Sequence, residues 1–126
     1  EIYGVSVREY MNFSKDDLLK LIELDIYSMV YLSLEEYYKY RGVNVKEKSG
    51  IFTTHCVVVV GYDENKENFG LWDPLDPREK KKYSYDNVRK IDYKIFLNCW
   101  DEANSRVIYL SEPKQDKLLY YINQNI

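Results

Sequence analysis

The sequence contains a single histidine, His55, so any reaction that needs an imidazole depends on this residue. A neutral imidazole titrates near physiological pH and can exchange a proton with a nucleophile. Asp73 ends the next predicted strand, where a carboxylate could orient the imidazole as the third member of a catalytic triad. Asp63 is a rival carboxylate, but it lies at the opposite end of the His55 strand. The plainer alternatives are a structural histidine and a strand-ending Asp-Pro turn.

The two cysteines are poorly placed to supply the nucleophile of such a triad. Cys56 is adjacent to His55 in a predicted strand, where neighbouring side chains point to opposite faces, so we predict a small core residue. Cys99 lies in a predicted strand (IFLNCWD), without the helix N-terminus that would lower a thiol pKa. No serine occurs in a G-x-S-x-G motif. The residues therefore offer a base and an acid, but no evident nucleophile.

Hydrophobic periodicity predicts an α+β chain with a mainly antiparallel sheet. The strongest element is Thr54 to Tyr62, whose four consecutive valines predict a strand buried on both faces. Phe69 to Asp73 returns across a polar turn as the second strand of a hairpin. The elements predicted before this hairpin are a strand over Ile2 to Val7, a helix from Ser14 to about Asp25, a strand over Ile26 to Leu32, and a short helix or ordered loop over Ser33 to Tyr40.

After Asp73 the pattern is weaker. Proline cannot donate to a sheet ladder, so Pro74 ends the strand. The elements predicted beyond it are a charged loop over Arg78 to Lys82, one helical turn capped by Ser84 or Asp86 and running to Lys90, a hairpin of Ile95 to Asp101 with Arg106 to Leu110, and a final helix that begins at Pro113.

Length and composition favour one domain over residues 1–126, with no cofactor or metal implied. The formal net charge of −3 argues against nucleic acid as the main partner. The longest apolar run, Cys56 to Val60, is far short of the ~20 residues that a membrane helix needs. No signal peptide is visible, so we expect a cytoplasmic location. The 14 tyrosines suit either amphipathic packing or a ring-lined peptide or carbohydrate groove.

The segment His55 to Asp63 (HCVVVVGYD), followed after a polar turn by Leu71 to Pro74 (LWDP), resembles the His…Asp half of papain-like cysteine enzymes. C39-like peptidases are the first look-alike. The N-terminal domain of butirosin-biosynthesis H-type proteins is the second, supported by Leu24 to Tyr31 (LDIYSMVY). The resemblance covers about half the chain, residues 14–73. It implies a papain-like half-domain in which a twisted, mainly antiparallel sheet packs against helices.

The same resemblance implies roles for individual residues. His55 would be the general base and Asp73 the orienting acid, with Val57 and Val59 behind the histidine on the same strand face. It also implies a nucleophilic cysteine at a helix N-terminus well before the histidine, preceded by an oxyanion-hole glutamine. No cysteine precedes Cys56, and both glutamines come late in the chain. We therefore expect either the C-terminal part of a papain-like domain, with the nucleophile upstream, or a degenerate relative.

Three functional hypotheses follow. In the first, the chain is part of a thiol hydrolase or acyltransferase that acts on a peptide or acyl-carrier substrate through a thioester. The second is a non-catalytic binding or adaptor module for a peptide, a carrier-bound acyl group or a partner protein. The third is a structural adaptor, which would separate the His55 ring nitrogens from Asp73. A half-domain should also expose an apolar sheet face, covered by a missing N-terminal segment or by a second copy of the chain.

Overall fold

A computed structural model of the chain describes residues 4–42, 54–74 and 88–112. The loop predicted over Arg78 to Lys82, the Ser84 and Asp86 caps and the helix predicted from Pro113 lie outside these ranges. The described elements are, in chain order, β1 (Ser6–Tyr10), α1 (Lys15–Glu23), β2 (Ser28–Ser33), α2 (Leu34–Arg41), β3 (Thr54–Asp63), β4 (Asn68–Trp72), β5 (Arg89–Asp92), α3 (Tyr93–Asp101) and β6 (Val107–Ser111).

The described strands form one sheet in the order β1-β6-β2-β3-β4-β5, and every neighbouring pair is antiparallel. This confirms the predicted α+β class with a mainly antiparallel sheet. The β3–β4 hairpin is also confirmed, with Asp63 paired to Asn68 across the turn. The strand predicted over Ile2 to Val7 begins outside the described residues, and the described strand in this region is Ser6–Tyr10.

The helices pack on one face of the sheet and form a single core with it. On that face Val30 of β2 pairs with Val57 of β3 and with Val107 of β6. Antiparallel neighbours in register share a face, so these pairs mark the buried side of the sheet. The core contains Leu18, Leu21, Ile26, Val30, Leu32, Tyr37, Val57, Val59, Phe69, Leu71, Ile91, Phe96, Cys99, Trp100, Val107 and Tyr109.

The two helices before β3 begin at serine caps. The Ser14 side chain accepts a hydrogen bond from the Asp17 backbone N–H at 3.0 Å, which confirms the predicted start of α1. The Ser33 side chain caps α2 in the same way. Helix α2 ends at Gly42, whose φ of 72° is the left-handed conformation that glycine adopts without strain. The segment predicted as a short helix or an ordered loop over Ser33 to Tyr40 is therefore mostly helix, Leu34–Arg41, with Ser33 as its cap.

The strand predicted over Ile95 to Asp101 is wrong, because this segment belongs to helix α3. The Asp92 side chain caps the helix by accepting from the Lys94 backbone N–H at 2.8 Å. Phe96, Cys99 and Trp100 follow at helical spacing and are all buried on the sheet. Strand β6 consequently pairs with β1 and β2 and not with this segment. Lys90, predicted to end a helical turn, lies in strand β5.

Strand β3 is buried on one face only, which corrects the prediction of burial on both. Val57 and Val59 are fully buried, whereas Val58 and Val60 are half-buried. The reason is that the helices cover only the face that carries Val57. The opposite face also holds Val7, Met29 and Leu110, which are 68%, 40% and 58% exposed. We call this surface the open sheet face.

Candidate active site

The β3–β4 register brings His55 and Asp73 to the same place. Val58 pairs with Trp72, and the strands are antiparallel. Continuing the register by one position therefore places Asp73 beside Val57. Val57 and His55 share the helix-covered face, because side chains two residues apart in a strand point the same way. Asp73 is buried like Leu71, whereas Trp72 between them is only half-buried. The predicted backing of His55 by Val57 and Val59 on one strand face is therefore observed.

The two candidate side chains are in direct contact. Nε2 of His55 lies 2.9 Å from Oδ1 of Asp73, and the two side chains are 8% and 0% exposed. An ionised carboxylate can only accept hydrogen bonds, so this contact places a proton on Nε2 and leaves Nδ1 for proton exchange. The separation that the structural-adaptor hypothesis requires is not found.

Tyr37 of helix α2 contacts both members of the pair. Its hydroxyl donates to Oδ2 of Asp73 at 3.0 Å, and its ring stacks on the His55 ring at a centroid distance of 5.3 Å and an interplanar angle of 24°. Burial, followed by the nearby Asp73 carboxylate, raises the pKa of the Tyr37 hydroxyl well above its usual value. The hydroxyl therefore stays protonated and remains a donor.

Arg41, one turn after Tyr37, adds a cation to the site. Its Nη1 lies 3.6 Å from Oδ2 of Asp73, and its guanidinium carbon lies 5.7 Å from the Tyr37 ring centroid. A buried carboxylate is tolerated when charge and hydrogen bonds compensate its lost hydration. Asp73 meets this condition, because its two oxygens face an imidazole, a hydroxyl and a guanidinium.

Sequence reasoning did not single out Tyr37 or Arg41. The available signal was their helical spacing: counted from the Ser33 cap, Leu34, Tyr37 and Arg41 fall on one face of a helix. That signal was ambiguous because segment 33–40 equally suited an ordered loop. Nothing local indicates that this face meets the end of β4.

The two cysteines are not activated thiols. Cys56 pairs with Tyr31 on the open sheet face, opposite to the His55 side chain, as predicted. It is half-buried there and outside the core, so the prediction of a small core residue is wrong. Burial raises its pKa, although the Arg106 guanidinium acts in the other direction. Cys99 lies near the C-terminal end of α3 and not in a strand, and its burial raises its pKa to about 11. Both thiols are therefore protonated at neutral pH, the unreactive form.

The rival carboxylate, Asp63, has a local structural role. Its Oδ1 accepts hydrogen bonds from the backbone N–H groups of Asn65 at 2.9 Å and Lys66 at 3.1 Å. These contacts form the β3–β4 turn, at the far end of β3 from His55. An aspartate that bonds the backbone two and three residues on is a typical turn residue. This position agrees with the preference for Asp73 over Asp63 as the partner of His55.

With this geometry in view, comparison with known proteins identifies the family. The model of the Peptidase_C39 like family matches residues 2–108, most of the chain. The chain belongs to the Peptidase_C39-like family. This confirms the predicted resemblance to C39-like peptidases, and the match extends well beyond residues 14–73, on which the resemblance was based. No match to a curated protein was found.

A solved structure shares the fold of this family member. It is a crystal structure from Bacillus anthracis, described as that of a C39-like peptidase, with 19% sequence identity and a TM-score of 0.57. The match covers 84% of this chain and 51% of that chain, so the family member described here spans about half the length of its structural neighbour. Within residues 4–42, 54–74 and 88–112, no helix has the length and apolar character needed to cross a bilayer.

Proposed function

We propose that this chain supplies the base and the orienting acid of a papain-like thiol hydrolase or acyltransferase. The observation that carries the proposal is the buried contact of 2.9 Å between His55 Nε2 and Asp73 Oδ1, in a chain of the Peptidase_C39-like family. The substrate would be a peptide or a carrier-bound acyl group. The reaction would be acyl transfer through a thioester, to water in a hydrolase or to an amine in an acyltransferase.

His55 would act first as a base and then as an acid. Nδ1 takes the proton of a cysteine thiol, and the thiolate sulfur attacks the acyl carbon of the substrate. The bond to the leaving group breaks, and that group takes the proton from the imidazolium. Water or an amine then attacks the thioester carbon and gives a proton to Nδ1. The carbon–sulfur bond breaks, and the imidazolium returns that proton to the departing sulfur, which restores the thiol and the neutral imidazole. Asp73 would hold the ring throughout and stabilise its charged form.

The nucleophilic cysteine, in this proposal, lies upstream of these 126 residues, which form the C-terminal part of a papain-like domain. Support comes from the two cysteines at hand. Cys56 points away from the His55 face, and burial holds the pKa of each thiol above its ordinary value. A papain-like nucleophile needs the opposite shift, since the thiolate is the reactive species. Neither Cys56 nor Cys99 is therefore assigned to the reaction.

The test uses the full-length protein and its His55→Ala variant. Both are treated with iodoacetamide from pH 5 to pH 9, and each alkylated cysteine is identified and timed by mass spectrometry. We expect one cysteine outside this chain to react at pH values below 9.0, the ordinary thiol pKa, and to lose that low-pH reactivity in His55→Ala. Asn65→Ala, in the β3–β4 turn, is the control. Peptide or thioester turnover that survives His55→Ala would overturn the assignment.

A non-catalytic binding or adaptor module is the second candidate, favoured by the unactivated state of both thiols in this chain. Such a module would recognise a peptide, a carrier-bound acyl group or a partner protein. In that case the full-length protein would contain no cysteine with low-pH reactivity. His55→Ala would then leave its alkylation profile unchanged, which separates the two candidates in the same experiment.

A further inference from the structure

We propose that Tyr37 is the positioning residue of the His55–Asp73 pair: its hydroxyl fixes the rotation of the carboxylate that meets the imidazole, and its ring sets the plane of the imidazole. The importance of this role for turnover rests on the proposed function. The contacts themselves do not, because they are ground-state contacts between three side chains.

The hydroxyl acts on the carboxylate. A carboxylate can rotate about its Cβ–Cγ bond, which changes the direction of the lone pairs that it presents to the imidazole. The Tyr37 hydroxyl donates to Oδ2 at 3.0 Å while Nε2 of His55 lies 2.9 Å from Oδ1. Asp73 and Tyr37 are both 0% exposed, so bulk water does not compete for Oδ2. Rotation would break both hydrogen bonds at once, and the pair is held in one arrangement.

The ring acts on the imidazole. The Tyr37 and His55 rings are stacked within 24° of parallel, with centroids 5.3 Å apart. A ring flip or a tilt of the imidazole would have to move against this surface. Stacking of this kind contributes beyond simple burial. The ring and the hydroxyl of one residue therefore constrain the two partners of the hydrogen bond separately.

Helix α2 is held by contacts with its neighbours, which fix the position of Tyr37. Its Glu36 side chain accepts from the Asn98 amide of α3 at 3.2 Å. Its Tyr40 hydroxyl donates to the Lys90 backbone carbonyl of β5 at 3.4 Å. The helix also follows β2 directly, and β2 pairs with β3 so that Leu32 lies opposite His55. These contacts hold α2 over the end of β3 that carries His55.

The experiment exploits the single histidine of these 126 residues, whose imidazole NMR signals are unambiguous in this chain. The Nε2–H resonance of His55 is compared among the wild type, Tyr37→Phe and Tyr40→Phe, each also in an Asp73→Asn background. Tyr37→Phe keeps the ring and removes only the hydroxyl. Tyr40→Phe is the matched control, because it removes a hydroxyl bond on the same helix that does not involve Asp73.

We expect Tyr37→Phe to move the Nε2–H resonance of His55, since Asp73 then no longer accepts a second hydrogen bond from the hydroxyl. The change should vanish in the Asp73→Asn background, and Tyr40→Phe should leave the resonance unchanged in both backgrounds. An unchanged resonance in folded Tyr37→Phe overturns the proposal. An equal shift in the Asp73→Asn background also overturns it, because the effect would then bypass the carboxylate.

A second measurement applies if Tyr37→Phe does not fold. The buried hydroxyl proton of Tyr37 should give a slowly exchanging NMR resonance that moves upfield in Asp73→Asn, and an unmoved resonance would refute the contact. Both readouts are independent of turnover. If the His55→Ala variant of the full-length protein stayed active, the proposed function would be wrong. The NMR comparison of the Tyr37 variants would still decide the role of Tyr37.

Discussion

Nε2 of His55 lies 2.9 Å from Oδ1 of Asp73 although 18 positions separate the two residues in the chain. The β3–β4 hairpin alone accounts for this proximity. The hairpin does not supply the groups around Oδ2. The Tyr37 hydroxyl, which donates to Oδ2, and the Arg41 guanidinium, which forms an ion pair with it, both belong to helix α2. The predictions below test the carboxylate, the two thiols and the open sheet face.

Replacing Asp73 with asparagine should impair the chemistry far more than the binding of substrate. The uncharged amide cannot stabilise an imidazolium, so we expect turnover by the full-length protein to fall by about 10²- to 10⁴-fold with KM little changed. Asp63→Asn is the matched control, since it makes the same change in the β3–β4 turn. Turnover kinetics of the two variants check this. Equal activity in Asp73→Asn and Asp63→Asn would remove Asp73 from the mechanism.

Cys56 and Cys99 should both react slowly with iodoacetamide at pH 7. Burial raises both thiol pKa values, so little thiolate is present, and Cys99 is only 1% exposed. The rate constants, resolved by mass spectrometry, should lie below that of free glutathione. The two thiols should become equally reactive once the chain is unfolded in guanidinium chloride. Rapid labelling of either residue in the folded chain at pH 7 would contradict its assignment as a structural thiol.

Cys99 should also make the free energy of unfolding depend on pH in the alkaline range. Its pKa is about 11 in the folded chain, above the value of 9.0 for an ordinary thiol. The native state therefore holds the proton more tightly, and stability present below pH 9 is lost as the pH rises towards 11. The loss should be on the order of 1–3 kcal/mol. Urea unfolding at several pH values, compared with Cys99→Ala, checks this. The same alkaline slope in both proteins would exclude Cys99 as the cause.

The open sheet face should drive self-association of the chain alone. Val7 and Leu110 pair across β1 and β6 on this face, and both are exposed, next to Met29 of β2. Exposed apolar patches of this kind commonly mark interaction surfaces. We expect sedimentation velocity to show a concentration-dependent dimer that Leu110→Glu abolishes. Lys94→Glu, on helix α3, should leave it intact. A monomer at all concentrations would exclude a second copy as the partner of this face.

The sequence by itself determined the parts of the fold that depend on local pattern. The valine run and the polar turn predicted the β3–β4 hairpin, and Ser14 marked the predicted start of α1. The alternation of side chains along a strand correctly predicted that Cys56 points away from the His55 face. The D-P ending placed a carboxylate beside the histidine strand. Each signal acts within a few residues, through strand alternation, turn chemistry or helix capping.

Only the tertiary structure decided which segments meet. Ile95 to Asp101 has a composition that suits a strand, and the burial of Phe96, Cys99 and Trp100 against the sheet made it a helix instead. The same is true of the site. Tyr37 reaches Asp73 because α2 follows β2 directly and β2 pairs with β3, a relationship that no local pattern contains. Burial of Asp73 then depends on donors from a distant helix, since a desolvated carboxylate is stable only where the fold brings such donors to it.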